Sequence, residues 1–255
     1  MANSVMQKWY EAAKTRSSVR NYTGSVDKDT FYELKGAASR LCNDDARIEL
    51  RAKNGVLIKP VLSQLLGGVE GTNCFAAIIV RNGNNYMGGY VGEAFVLECA
   101  SRGIGTCWLG ASFKRSAVRQ FIDIDENETL IAVIAFGRTN GFPKPPAKKS
   151  AEQLTGLETE TIKALPEWQQ EAIRIAKLAP SARNKQPWDI EVKKDMLGIV
   201  CNSSNFGYGD VDCGIAMLHI ELGAGMRNVY GDWDMKGATK YFVPYESTVA
   251  YGDKE

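Results

Sequence analysis

Two arginines and two serines stand close together near the start of the sequence. The segment Arg16-Ser17-Ser18-Val19-Arg20 places two guanidinium groups four residues apart, directly after a predicted helix. A guanidinium presents a planar fork of donors that suits a phosphate, and serine hydroxyls add neutral donors. The segment is therefore a candidate phosphate site, although an exposed arginine pair is more often an ordinary solvated surface.

A second group of polar side chains lies in residues 179–188, with the sequence APSARNKQPW. Ser181, Asn184 and Gln186 offer hydroxyl and amide groups, and Trp188 adds an aromatic plane. Such a mixture can recognise the polar edge of a flat heterocycle. It can equally be an ordinary polar loop before a strand.

Residues 103–110, with the sequence GIGTCWLG, form the third candidate segment. A predicted apolar helix ends at Gly103, and two further glycines follow it. Because glycine lets a backbone come close to a bound group, the sequence predicts a turn in which the backbone can approach a ligand.

The sequence offers little side-chain machinery for acid–base or nucleophilic catalysis. Its single histidine, His219, lies in an apolar helical run and is expected to be a packed core residue. A Ser-His-Asp or Cys-His hydrolase is therefore disfavoured. The six cysteines contain no C-x-x-C pair, which argues against a zinc site and a disulfide framework. If the protein is an enzyme, a cofactor is expected to carry the reaction.

The composition is typical of a soluble globular protein. The 255 residues include 31 Lys and Arg and 30 Asp and Glu, so the net charge of +1 gives no footprint for nucleic acid or an anionic membrane. The longest apolar runs, Cys74–Val80 and Leu130–Phe136, are too short to span a bilayer. Residues 1–14 lack the apolar core of a secretory signal. We expect a cytoplasmic protein with neither nucleic acid nor membrane as a partner.

Apolar periodicity and turn residues predict the elements that must position these groups. The predicted helices span about residues 3–15, 28–41, 56–66, 88–102, 166–178 and 211–227. The predicted strands span about residues 48–52, 75–80, 130–136, 189–193, 197–201 and 240–243. Residues 138–150 are rich in proline, glycine and lysine and are predicted to be a linker. Domains are accordingly expected at residues 1–155 and 156–255.

Two stretches of the chain resemble each other in the same order. Residues 31–50 align with residues 173–192 without gaps. Further on, the apolar helices that contain Gly92 and Gly214 are each followed by glycine and then tryptophan. Each match alone is weak, and any α/β protein shows some such similarity. Together they favour an internal duplication.

The three candidate segments together resemble the FMN-dependent nitroreductase family. The family has R-S-x-R near the N-terminus, an A-P-S-x-x-N-x-Q-P-W loop, a G-L-G-T-x-W-x-G turn after the central helix and a basic pair near the end of the unit. Here these correspond to residues 16–20, 179–188 and 103–110 and to Lys148-Lys149. The A-P-S loop lies in the second half of this chain instead of shortly after the first segment. The chain is in this respect similar to members in which two units are fused into a pseudo-dimer.

This resemblance implies an α+β fold, with a mixed sheet flanked by helices, in which two related lobes are fused in one chain and FMN lies between them. Arg16, Ser17 and Arg20 would bind the phosphate and ribityl end of the flavin, and Lys148 or Lys149 would contribute charge. The residues expected from the other lobe, at the ribityl chain and the ring edge, are Pro180, Ser181, Asn184 and Gln186. The residues expected near the flavin N5 and O4, through their backbone N–H groups, are Leu109 and Gly110.

The implied reaction is a ping-pong hydride transfer from NADH or NADPH, through flavin N5, to an electron-poor acceptor such as a nitroaromatic or a quinone. No side chain is expected to be catalytic. The nicotinamide would dock transiently, because no G-x-G-x-x-G follows a strand. Two alternatives remain open: a flavin reservoir or redox sensor without turnover, and a structural protein that has lost the flavin. A monomeric pseudo-dimer is expected, and further oligomerisation remains open.

One FMN per chain is expected, because the second copy of the site has diverged. The alignment of the two halves, extended towards the N-terminus, places Glu158 and Ile162 where the first copy has Arg16 and Arg20. A phosphate there would meet a carboxylate and an alkyl group instead of two guanidinium groups.

Overall fold

The computed structural model describes residues 2–58, 68–81 and 83–246. The chain forms two compact units. The first unit comprises Thr15–Pro145, and the second joins Met1–Lys14 to Pro146–Glu255. The boundary between them falls inside the predicted linker, before the expected boundary at 155/156. The N-terminal helix, which was expected in the first domain, belongs to the second unit.

The elements follow one another in the order α1 (Ala2–Thr15), α2 (Lys28–Leu41), β1 (Ala46–Ala52), β2 (Cys74–Arg81), α3 (Asn85–Ser101), β3 (Gly105–Leu109), α4 (Arg115–Arg119), β4 (Glu128–Gly137), α5 (Ala151–Thr155), α6 (Thr159–Lys163), α7 (Glu167–Ala176), β5 (Trp188–Lys193), β6 (Met196–Cys201), α8 (Gly209–Gly225), β7 (Gly231–Asp234) and β8 (Lys240–Pro244). Short 3₁₀ helices at Ala182–Asn184 and Asn205–Gly207 flank β5 and β6. Among the described residues, no helix has the length and apolar character needed to cross a membrane.

Among the described residues, each unit contains one four-stranded sheet, and the two sheets have the same strand order. The order is β1-β2-β4-β3 in the first unit and β5-β6-β8-β7 in the second. All pairings between these strands are antiparallel. A mixed sheet, as expected from the resemblance, also requires parallel pairs. In the described chain, parallel pairs occur as isolated bridges at Ser18–Thr106 and Asn21–Glu70. In both units a 17-residue helix separates the first strand pair from the second. The shared topology supports the internal duplication.

The long helix of the first unit packs closely on its sheet because glycines leave room for large side chains. A Cβ at Gly92 of α3 would lie 2.3 Å from the indole Cη2 of Trp108 on β3. The indole Nε1 of Trp108 donates a hydrogen bond to the buried Glu93 at 3.0 Å. These contacts fix β3, which carries one of the candidate segments, against α3.

A partly buried polar contact connects the N-terminal helix to the rest of the second unit. The Tyr10 hydroxyl on α1 donates to Glu171 on α7 at 2.7 Å and accepts from Arg174 at 2.6 Å. Glu171 is nearly buried, and hydrogen bonds to a charged group contribute more than those between neutral groups. The sequence pattern predicted the helix but not the residues it contacts.

Most predicted elements are confirmed, and the terminal residues differ by a few positions. The Asp27 side chain accepts from the N–H of Thr30 at 2.9 Å and so caps the N-terminus of α2. The glycine-rich turn predicted at residues 103–110 is wrong in its extent. Gly103 does turn, with φ of +72°, but the following residues form the edge strand β3. The short strand β7 was not predicted.

Part of one predicted helix cannot be compared with the structure. Residues 56–58 of the helix expected at 56–66 are not helical, and Leu57 forms an isolated bridge with Phe113. The remainder of that predicted helix lies outside the described residues.

Candidate functional site

The structure brings the first and third candidate segments together in the first unit. The N–H of Val19 donates to the carbonyl of Thr106 on β3 at 2.9 Å. The Val19 side chain packs on Gly105, where an added Cβ would lie 2.9 Å from Val19 Cγ2. Residues 16–20 thus run beside the edge strand, and the glycine makes the close approach possible.

Arg16 has an incompletely satisfied guanidinium. The residue is only 7% exposed, and its buried Nε has no hydrogen-bond partner in the described part of the chain. Burying a charged group's donor without a hydrogen-bond partner destabilises the folded state, because the donor loses its hydrogen bonds to water and forms none in the protein. An anionic group bound at Arg16 would satisfy it, so this residue fits the phosphate role expected from the sequence.

The charge of Arg20 acts on the same part of the first unit. Burial raises the pKa of the Cys107 thiol on β3, whereas the guanidinium groups of Arg20 and Arg16 favour the thiolate and oppose that rise. Both arginines therefore contribute positive potential next to β3. Arg20 itself is exposed, so its contribution is more strongly screened by water.

Ser17 is buried, but its hydroxyl already has an acceptor. The Oγ donates to the carbonyl of Pro143 in the linker at 2.5 Å. A hydroxyl has one hydrogen to donate. While this bond is made, Ser17 cannot donate to a phosphate, and its visible role is to hold the start of the segment.

The strand register separates Leu109 from Gly110. Backbone groups of successive residues in a strand face opposite sides. Because the Thr106 carbonyl faces residues 16–20, the N–H and carbonyl of Leu109 face its partner Val133 on β4. The sheet therefore uses the Leu109 N–H, and the predicted backbone contact to the flavin rests on Gly110, which follows the strand.

In the second unit, the linker lysines and the 179–188 loop form one hydrogen-bond network. Lys148 Nζ donates to the carbonyl of Ala179 at 2.8 Å and to Asn184 Oδ1 at 2.9 Å. The Asn184 amide nitrogen donates back to the carbonyl of Ala147 at 2.7 Å. Both ends of the Asn184 side chain thus tie the loop to the linker.

Gln186 and Lys149 make a second link of the same kind. The Lys149 N–H donates to Gln186 Oε1 and its Nζ donates to the Gln186 carbonyl, both at 2.8 Å. The Gln186 N–H donates to Ser181 Oγ at 2.8 Å. Gln186 is 1% exposed and Pro180 is buried. The predicted loop residues and the Lys148-Lys149 pair therefore lie together, and the hydrogen bonds seen here join them to one another. Contacts between these residues and a ligand remain a prediction.

The network holds the loop in an unusual backbone conformation. Arg183, Asn184 and Gln186 have φ of +52°, +55° and +47°. The left-handed region costs a residue other than glycine roughly 1–2 kcal/mol, and asparagine tolerates it best. Such a loop persists only when its surroundings stabilise it. Here Lys148 and Lys149 stabilise it through hydrogen bonds to Asn184 and Gln186.

An acidic residue that the sequence analysis missed also anchors this loop. The carboxylate of Asp212 on α8 accepts from the Ala182 N–H at 2.9 Å and from Asn205 Nδ2 at 2.6 Å. Burial raises the pKa of Asp212 to about 6, against the opposing effects of these hydrogen bonds and of the Lys148 charge. The available signal was a pair of aspartates, Asp210 and Asp212, at the start of a largely apolar helical run.

We expect Asn184→Ala to lower stability, because it removes both hydrogen bonds and places a Cβ-bearing residue without a polar side chain at positive φ. The loss should be about 2 kcal/mol in the free energy of unfolding, measured in urea. Asn184→Gly is the matched control, since it loses the same bonds but tolerates the backbone conformation, and should be less destabilised. A variant with parental stability and weakened FMN binding would instead support the ligand contact predicted from the sequence.

We expect the free energy of unfolding to respond to Asp212 ionisation between about pH 7 and pH 5. Because the folded-state pKa is raised above the ordinary value, the folded protein binds the proton more tightly. The contribution of Asp212 to the free energy of unfolding therefore rises as the pH falls through 6. It is complete only below the pKa that Asp212 has in the unfolded chain. Relative to Asp212→Asn, the parent should gain about 1 kcal/mol on going from pH 7 to pH 5. Parallel stability curves for the two proteins would contradict this.

His219 lies in the core, as expected from the sequence. It is fully buried on α8, and its Nδ1 lies 3.2 Å from the carbonyl of Ile175 on α7. Within the described ranges, no three His, Cys, Asp or Glu side chains are grouped so that they could hold a metal ion.

Comparisons with known proteins identify a matching family and similar folds. A family model described as "Putative TM nitroreductase" matches residues 8–224. A "putative nitroreductase" from Thermotoga maritima MSB8 has a similar fold, with a TM-score of 0.66 and 18% identity over 92% of this chain and 93% of that chain. A nitroreductase with bound FMN from Desulfitobacterium hafniense DCB-2 aligns with a TM-score of 0.47 and 13% identity over 59% of this chain and 98% of that chain. No curated protein matches the sequence.

Proposed function

The chain belongs to the family described as "Putative TM nitroreductase", and from this premise we propose that it is an FMN-dependent oxidoreductase. It would take hydride from NADH or NADPH and reduce an electron-poor acceptor such as a nitroaromatic or a quinone. Bound FMN would supply the redox chemistry, since flavins accept a hydride and pass electrons on. The chain's single histidine, His219, is buried in the core, which is compatible with a reaction carried by a cofactor.

The observation that carries the proposal is the buried Arg16 Nε, which has no hydrogen-bond partner among the described residues. Arg16 would bind the phosphate of FMN, because a guanidinium forms charge-assisted hydrogen bonds with phosphate oxygens. Arg20 would add a more exposed positive charge. Ser17 would hold the segment in place through Pro143.

The other predicted residues would act at the ring or through the loop that carries them. The N–H of Gly110 would donate to the polar edge of the flavin, where a donor favours the reduced, negatively charged ring. Pro180, Ser181, Asn184 and Gln186 would act chiefly by keeping their loop in its left-handed conformation. Lys148 and Lys149 would stabilise that loop and add positive potential.

The test combines flavin binding with turnover. The purified protein is saturated with FMN and desalted, and the released flavin is counted against protein; we expect a ratio near one. NADH and NADPH are then added without oxygen, and bleaching of the flavin absorbance is expected with at least one of them. A nitroaromatic or a quinone should restore the absorbance.

The remaining outcomes separate the alternatives. Tight FMN binding without reduction by either nicotinamide would indicate a reservoir or sensor. An absence of flavin binding would leave a protein that has lost its cofactor, and a ratio near two would overturn the expectation that the second copy of the site is lost.

A further inference from the structure

Two cysteines of the second unit lie where β6 ends and α8 begins. Cys201 is the last residue of β6, and Cys213 lies one turn into α8. Both are free thiols. Cys201 is partly exposed, whereas Cys213 is fully buried.

Contacts from two directions place the two sulfurs side by side. A Cβ at Gly209, the first residue of α8, would lie 2.6 Å from Cys201 Sγ. Cys213 follows Gly209 by four residues, which puts it on the same face of the helix. From the strand side, the Pro187 carbonyl accepts the N–H of Asn202 at 3.0 Å and lies 3.9 Å from Cys213 Sγ. Residue 202 directly follows Cys201, so the end of β6 and the Cys213 sulfur meet the same carbonyl, and the Cys201 and Cys213 side chains lie within hydrogen-bond reach of each other.

The electrostatic environment gives the two thiols different roles. Burial raises the pKa of the Cys213 thiol far above its usual range, and the charge and hydrogen bond of the Cys201 side chain add to the rise. Cys213 therefore stays protonated, whereas Cys201 is the sulfur that a reagent from solvent meets first.

We propose that Cys201 and Cys213 form an oxidative modification site, at which a hydroperoxide converts the thiol pair into a disulfide. The Cys201 thiolate attacks a peroxide oxygen, the O–O bond breaks, and Cys201 becomes a sulfenic acid while the released hydroxide takes the thiol proton and leaves as water. The Cys213 sulfur attacks the Cys201 sulfur, the S–O bond breaks, and the second hydroxide leaves as water with the Cys213 proton. Two thiols are oxidised by two electrons, and one hydrogen peroxide is reduced to two waters.

The position of the pair links it to the 179–188 loop. Cys213 directly follows Asp212, whose carboxylate holds the Ala182 N–H. A disulfide between Cys201 and Cys213 would connect this anchor covalently to the end of β6. The inference does not depend on flavin binding.

The experiment exposes the full-length protein to hydrogen peroxide, removes the excess with catalase and counts thiols in denaturant with DTNB. The parent has six thiols; we expect four after peroxide and six again after dithiothreitol. A non-reduced peptide map of the parent should show Cys201 joined to Cys213. This map needs no variant, so it remains decisive even where a substitution at the buried Cys213 prevents folding.

Variants assign the order of the two steps. Cys201→Ser should keep its five thiols through the peroxide treatment, and Cys213→Ser should retain a sulfenic acid at Cys201 that dimedone traps. Six unchanged thiols in the parent, equal thiol loss in Cys201→Ser, or a disulfide between other cysteines would overturn the proposal.

Discussion

Arg16→Ala is expected to weaken FMN binding ten- to a hundredfold. The variant removes the buried guanidinium whose Nε has no partner in the described part of the chain, and loss of a charge-assisted hydrogen bond costs about 1.5–3 kcal/mol. Because the described residues offer that Nε no hydrogen bond to lose, the flavin-free variant should lose only the packing of the buried Arg16 stem, a smaller effect than the loss of flavin affinity. Flavin titration and urea unfolding of the same preparations measure the two effects separately.

Two control variants make the Arg16 result specific. Arg119→Ala removes an exposed arginine of the same unit and should leave the FMN dissociation constant unchanged. Arg16→Lys keeps the charge but loses the planar fork, so its affinity should lie between those of the parent and Arg16→Ala. Parental affinity in Arg16→Ala would remove this residue from the site. Lower stability with unchanged affinity would assign Arg16 to the fold instead.

Gly223→Ala is expected to destabilise the second unit by about 2 kcal/mol, because it overpacks the contact between α7 and α8. An added Cβ would lie 2.5 Å from Ala172 Cα and 2.7 Å from its backbone nitrogen. These are main-chain atoms, so a side-chain rotation cannot relieve the clash and the two helices must move apart. The change is measured as a lower urea midpoint.

The same substitution at Gly36 is the matched control, and it should act in the opposite direction. Gly36 lies inside α2, where an added Cβ meets only the end of a flexible arginine, Arg40, at 3.7 Å. Alanine restricts the unfolded chain more than glycine and favours a helix by up to about 1 kcal/mol. A lower urea midpoint for Gly223→Ala and a higher one for Gly36→Ala would confirm that close helix packing requires Gly223. An unchanged midpoint for Gly223→Ala would contradict it.

Much of the secondary structure is determined by local sequence. Buried strands such as β2 and β4 are continuous apolar runs, and α3 and α8 are apolar helices ending near glycine. Asp27 predicts the start of α2 because its side chain reaches an N–H only three residues away. These features depend on neighbours along the chain, so periodicity and capping rules detect them.

The partners of the backbone and side-chain hydrogen-bonding groups could be identified only from the tertiary structure. The sequence predicted that the N–H of Leu109 faces a ligand, but the pairing with Val133 directs it into the sheet. The family resemblance also implied that the Asn184 amide contacts a ligand. In the structure, its oxygen accepts from Lys148 and its nitrogen donates to the carbonyl of Ala147. These partners lie more than thirty residues away in sequence, so no local pattern identifies them.

Residue types and their spacing were enough to identify the segments of the candidate site, including Arg16, Arg20 and the loop at residues 179–188. The folded structure was needed to show that Arg16 is buried with no partner for its Nε among the described residues, that Asp212 anchors the loop, and that α1 packs with the second half of the chain. Burial and the choice of hydrogen-bond partner depend on packing between residues that are far apart in sequence. Local sequence can place a charged group on a segment, but only the fold determines whether water, another side chain or a ligand satisfies it.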